Sequence, residues 1–273
     1  MSFWQSVLRV MDKEMKVPEP YGWFHLMWFA IVIGGAVALQ MWHRKSGSPK
    51  RVANVVLGIS LTVIVLEIYK LVNYSFSYEG GITFDFQWYA FPWQFCSTPM
   101  YVGLLAGLIR KGKVYESLCA YLATYSLFAG AAVMFYPGDV FIGTIGVNIQ
   151  TMFCHGSMIT VAIYLMASGH VKLEHKTILK AVPVFAVTVL IAMILNEVAY
   201  RTGLLETDTF NMFYISPYCD PHLPVYSMVQ EAVAYPWCLI LYIAGFTAAA
   251  YLLLLLAMGI RKVASGKKTV VTA

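Results

Sequence analysis

Charged residues are scarce in this sequence: Asp, Glu, Lys and Arg together make up 12% of it, against about a quarter in soluble domains. An ordinary soluble domain is therefore excluded. With 59% apolar residues over 273 positions, chain length measures membrane spans rather than globular domains. Internal repeats, glycine-rich nucleotide-binding motifs and low-complexity stretches are also missing, apart from a polar, basic tail. The start carries no basic region, long apolar core and small-residue cleavage site, so no secretory signal peptide is expected. Cysteines are few: Cys96, Cys119, Cys154, Cys219 and Cys238 fall mostly inside apolar runs, which is not a secreted disulfide framework.

A crossing helix needs roughly 20 mostly apolar residues, and seven such runs lie at about 22–42, 53–74, 91–110, 115–136, 145–168, 178–200 and 226–260. Cationic residues collect in alternate connections: Arg44, Lys45, Lys50 and Arg51; Arg110, Lys111 and Lys113; Lys172, Lys176 and Lys180; and Arg261, Lys262, Lys267 and Lys268. The intervening loops 75–90, 137–144 and 201–225 contain only Arg201. Cytoplasmic loops concentrate Lys and Arg. The pattern predicts an all-α integral membrane protein, a seven-transmembrane helix bundle with the N-terminus outside and the C-terminus cytoplasmic, multi-pass in a cell membrane. Its net charge of +5 then follows from topology, and nucleic acid is not an expected partner.

Residues 1–20 read as an interfacial amphipathic helix, with Phe3, Trp4, Val7, Leu8 and Met11 on one face and Gln5, Arg9, Asp12, Lys13 and Lys16 on the other. Residues 21–262 form the transmembrane domain and 263–273 a cytoplasmic tail. Span one opens with Trp23, His25 and Trp28, an interfacial belt; His25 is either an ordinary hydrogen-bonding residue or a site residue. Gly80-Gly81 flanked by aromatics predicts a short hairpin or lid in 73–89. The aromatic-rich loop 201–225 is expected to cap the bundle, with span seven kinked or tilted at Pro236.

Polar groups gather in the outer half of the apolar runs. Cys96 lies roughly 8 Å in from the outer start of span three and His155 roughly 15 Å into span five, at 1.5 Å per residue. Glu67 and Lys70, three residues apart, are placed to pair; Asn196 and Glu197 end span six. Asn148, Thr151 and His155 share one face of span five, a candidate pocket wall, and Gln150 and Cys154 share the neighbouring face. An imidazole can take the proton of a thiol and return it to a leaving group. Cys96 and His155 are therefore a candidate nucleophile and base. Gln94, Ser97, Thr98 and Asn148, or N–H groups freed near Pro99, are oxyanion candidates, and Glu67 or Glu197 candidates for orienting the histidine. Inert buried cysteines, a Cys96–Cys154 disulfide, and a zinc site drawing on Cys154, His155, Cys96 and the CDPH of 219–222 remain alternatives.

The motifs FPWQFCSTPMY (91–101), QTMFCHG (150–156), FNMFYIS (210–216) and YPW (235–237) resemble the YwaF-like family of bacterial polytopic membrane proteins, related to a vertebrate membrane acyltransferase that remodels ether phospholipids. The resemblance implies a Cys/His catalytic pair at Cys96 and His155. It also implies pocket-forming roles for Asn211, Tyr214 and Pro236-Trp237, no cofactor or metal, and a phospholipid or lysophospholipid as partner. The sequence departs from the pattern at Gln94, where many bacterial members carry histidine. The expected function is a membrane-embedded lipid acyltransferase, transacylase or lipid hydrolase. Its rivals are a seven-span receptor or transporter-like binding protein and a non-catalytic scaffold.

Overall fold

The structure, a computed structural model, describes residues 2–138, 140–203, 209–219 and 224–270. Asp220, His222 and the Glu231 side chain lie outside the described residues. The chain is helical: α1 (Phe3–Met11), α2 (Trp23–Ser46), α3 (Pro49–Ser75), α4 (Thr98–Ile109), α5 (Gly112–Ala123), α6 (Tyr125–Phe135), α7 (Ile145–Ala167), α8 (Lys176–Thr202), α9 (Pro224–Ala232) and α10 (Tyr235–Val270). The predicted hairpin forms, with β1 (Phe76–Ser77) antiparallel to β2 (Thr83–Phe84) and Gly80 and Gly81 at positive φ in its turn.

Among the described residues, six helices are long and apolar enough to cross a membrane: α2, α3, α5 with α6, α7, α8 and most of α10. The seventh expected span is the exception. Only twelve of its residues, α4, are helical, about 18 Å of rise where about 30 Å is needed. Two prolines set this limit. Pro92 pushes Phe91 out of the helical region, to φ −50° and ψ 131°. Pro99 would clash with a carbonyl four residues back inside a helix, so it is accommodated only in the first turn of α4. The helix thus starts at Thr98, not at Phe91, and residues 91–97 stay irregular.

A second break separates α5 from α6 at Thr124, whose hydroxyl bonds back to Ala120 O at 2.7 Å. Tyr121 and Tyr125, on either side of it, are fully buried and stack at 5.6 Å. The bundle closes on α7, where Gly130 of α6 leaves no room for a Cβ: one would lie 2.5 Å from His155 O. Gly107 of α4 is as tightly held, its Cβ position 2.5 Å from Leu57 of α3.

The Lys/Arg-rich connections meet at one end of the bundle. Pro49, Arg110, Lys111, Lys172 and Lys180 line a common opening there, with Lys180 paired to Glu116 at 2.7 Å and Tyr115 bonded to His170 at 2.7 Å. At the opposite end, α1 begins in a capping box between Ser2 and Gln5. Its C-terminal Asp12 accepts bonds from Asn73, Tyr78 and Thr144, tying α1 to α3, the hairpin and the start of α7.

Candidate functional site

The irregular stretch Phe91–Ser97 places Cys96 just before the N-terminus of α4, whose N-cap is Ser97. Gln94 O accepts from both Ser97 N (2.8 Å) and Thr98 N (3.1 Å), so the main chain turns tightly around Cys96. Non-helical backbone at membrane depth is tolerated only where protein or a cavity surrounds it. Here the surroundings are protein. Phe95 packs edge-on against Phe185 and Phe246, while Cys96 packs toward Val63, Met100, Ala129 and Cys154.

The second wall is the described part of the long connection before α9. It enters the bundle rather than lying over it as a cap: Phe210, Asn211, Met212, Phe213, Ile215 and Ser216 are all buried. Two amide side chains hold it. Gln94 donates to Asn211 O at 2.9 Å and accepts from Phe213 N at 2.8 Å; Asn196 donates to Met212 O at 3.0 Å and accepts from Met212 N at 2.8 Å. These bonds, with Tyr242 on Phe213 O, hold Phe213 and Tyr214 at φ 60° and 56°, a left-handed conformation that costs about 1–3 kcal/mol for each non-glycine residue.

The third wall comes from α3 and α7. Glu67, 3% exposed, accepts from Lys70 Nζ at 2.6 Å on one oxygen and from Gln150 Nε2 at 2.8 Å on the other. Such a buried carboxylate persists only when both oxygens are satisfied.

The face of α7 turned toward Cys96 carries Gln150 and Cys154. Cys154 Sγ is 3.9 Å from Cys96 O, and both thiols are free. His155 lies one residue, or 100°, around the helix and is not hydrogen-bonded to Cys96. Its Nδ1 bonds to Thr151 O at 2.7 Å. Because a carbonyl only accepts, this nitrogen carries the proton, leaving Nε2 as a buried lone pair with no hydrogen-bond partner. A cavity of about 30 Å³ lies beside Cys154, Met100 and Ser126, enough for ordered water.

Several candidate residues have other partners. His25 is saturated, accepting from Tyr21 N and donating to Met134 O, each at 3.0 Å. Asn148 clamps Ile142 through both its N–H and C=O. Thr98 bonds Phe95 O and Tyr121 OH. Glu197 pairs with Arg201 and Tyr218, away from His155. Pro99 begins a helix instead of interrupting one. Among the described residues no group of three or more His, Cys, Asp or Glu is placed to hold a metal. Sequence reasoning placed Gln150 beside Cys154 without giving it a role, and did not single out Tyr121. Gln150 was visible as the amide sharing a helix face with Cys154, and a buried Glu67 needed a donor in addition to Lys70. Asn211 ends with its Oδ1 accepting from Ser216 N at 2.9 Å and its Nδ2 buried without a partner.

A model of the TMEM164 family matches residues 20–257, most of the chain. The chain belongs to the TMEM164 family. It is a polytopic membrane family, as the six long apolar helices require. No curated protein and no solved structure matches the chain. The matched region of this TMEM164-family member starts at the end of the α1 connection and runs into α10, so it includes every wall of the site.

Proposed function

We propose that this multi-pass membrane protein is a lipid acyltransferase or transacylase, or a lipid hydrolase, with Cys96 as nucleophile and His155 as base. One observation carries the reading. A cysteine stands on non-helical backbone at membrane depth, before a helix N-terminus, and packs against Cys154 of α7, whose neighbour in sequence, His155, is a buried imidazole with an unused Nε2 lone pair. A helix N-terminus beside a sulfur favours its attack as thiolate. The resemblance to YwaF-like proteins and their vertebrate acyltransferase relative supports the same pair.

His155 Nε2 takes the Cys96 proton, and the thiolate attacks the ester carbonyl of a phospholipid. The oxyanion is met by the free Asn211 Nδ2 donor, with Gln94 and Thr98 shaping the turn rather than donating. As the carbon–oxygen bond breaks, the lysolipid oxygen takes the proton from His155, leaving an acyl thioester. A second lysolipid hydroxyl, or water, gives its proton to His155, attacks the thioester and returns the thiolate. Catalytic hydrogen bonds are often long before substrate binds, and this mechanism requires Cys96 and His155 to meet when the lipid is bound. No cofactor enters. In this reading α4 and the irregular 91–97 together make a seventh crossing, with the Lys/Arg-rich end cytoplasmic.

The test is intact-mass analysis of purified protein incubated with phospholipid carrying a labelled acyl chain. A hydroxylamine-labile acyl adduct on Cys96, absent in Cys96→Ala and slowed in His155→Ala, is the expected result. If Cys96 is acylated no faster than Cys119 or Cys238 in folded protein, the enzyme reading fails and a ligand-binding role takes its place.

A further inference from the structure

The bundle has a second opening that this chemistry does not use. Between α4, α5 and α8 runs an apolar groove of about 460 Å³, walled by Leu105, Val114, Leu118, Val184 and Val187. Leu105, Val114 and Val187 are 48%, 60% and 55% exposed, so the groove opens sideways from the bundle, where a bilayer's hydrocarbon lies. Trp93 and Thr98 close one end. Trp93 is fixed there, its Nε1 donating to Thr188 O at 3.2 Å and its ring stacked on Tyr101 at 5.2 Å. The other end is different: Lys113 lines it, just after Arg110 and Lys111 in the α4–α5 turn.

This combination fits one class of occupant. Apolar walls at hydrocarbon depth accept an acyl chain and give water nothing to bond. A cluster of cations at the end of the helices, at headgroup depth, attracts an anionic headgroup. Chain and charge are therefore matched end to end. Cys96 does not line this groove and packs toward α3 and α7, so the site stands whether or not Cys96 is a nucleophile.

We propose that the groove binds an anionic phospholipid from the leaflet at the Lys/Arg-rich end, one acyl chain lying between α4, α5 and α8 and the phosphate at Lys113. The full chain is placed in vesicles of phosphatidylcholine with a minor fraction of phosphatidylglycerol bearing a diazirine on one acyl chain. After illumination, labelled peptides are mapped by mass spectrometry. Labelling is expected to concentrate on groove residues of α4, α5 and α8 relative to the equally exposed Ile33 and Val37 of α2. Val187→Trp, which fills the groove from a lipid-facing position, should abolish that concentration, and Leu105→Trp should do the same from the opposite wall. Lys113→Gln should lower groove labelling by the anionic probe by about fivefold and leave that by a phosphatidylcholine probe unchanged. Labelling spread evenly over α2, α8 and α10, or unmoved by both tryptophans, means annular lipid only and overturns the site. Equal labelling by the two probes overturns the anionic headgroup.

Discussion

Asn196→Ala tests whether the strained turn beside Cys96 is held by its clamps. The amide engages both main-chain groups of Met212, at 2.8 and 3.0 Å, and both residues are nearly inaccessible, Asn196 at 3% and Met212 at 0%. Truncation leaves a buried N–H and a buried C=O unpaired, each worth about 1–3 kcal/mol. Gln94 still holds Asn211 O and Phe213 N, so the turn is expected to lose about 2–4 kcal/mol rather than the sum of the upper limits. Left-handed Phe213 and Tyr214 push in the same direction, since opening releases their strain. Local opening should rise about 30- to 1,000-fold at about 1.4 kcal/mol per decade. Hydrogen–deuterium exchange of amides in 209–219, read against those of α7 in the same sample, measures it. Gln94→Ala should match, and the double variant should add less than the sum because the two amides restrain one turn. Unchanged exchange in Asn196→Ala would refute the argument that these bonds hold the segment in place.

Glu67→Ala strands Lys70 and Gln150 and should cost about 3–5 kcal/mol, toward the lower limit because the Lys70 side chain keeps 17% exposure; Glu67→Gln should cost less, and thermal melts in detergent compare them. Gly130→Ala sets a Cβ 2.5 Å from His155 O and 2.8 Å from Met158 Cβ, so α6 must back away from α7 at about 1–3 kcal/mol, seen as a lower melting temperature. The hydrogen bond to Glu197, then burial, raises the Tyr218 phenol above its ordinary value of 10.0. The raised value favours the neutral phenol, so its contribution is complete below pH 10 and is lost as pH rises through the raised value. An ultraviolet difference titration against Tyr218→Phe should place this phenol above the ordinary value of 10.0, and titration at or below 10 contradicts the bond.

Much of the organisation was legible because single residues impose it. Gly80-Gly81 supplied the positive φ values of the hairpin turn, and Glu67 and Lys70, three apart on one face, formed their pair. The length of span three was misread from composition. Its apolar run is long enough, but Pro92 and Pro99 forbid a continuous helix, and composition does not weigh backbone geometry. Loop 201–225 was expected outside the bundle, whereas its stretch 210–216 is core apart from Tyr214. Phe210 and Phe213 are satisfied by burial, and the main-chain groups around them by Gln94 and Asn196, partners distant in sequence.

By itself the sequence determined the membrane class, the helices and the segregation of cationic connections. These follow from transfer free energies and main-chain restrictions, which act residue by residue. Only the tertiary structure decided which face of α7 meets Cys96. Rotation of a helix about its axis is fixed by packing, through Gly130 against His155 O and Gly156 against Val32. That packing turns Gln150 and Cys154 toward the thiol and sets His155 100° away, with its Nε2 buried and unpaired.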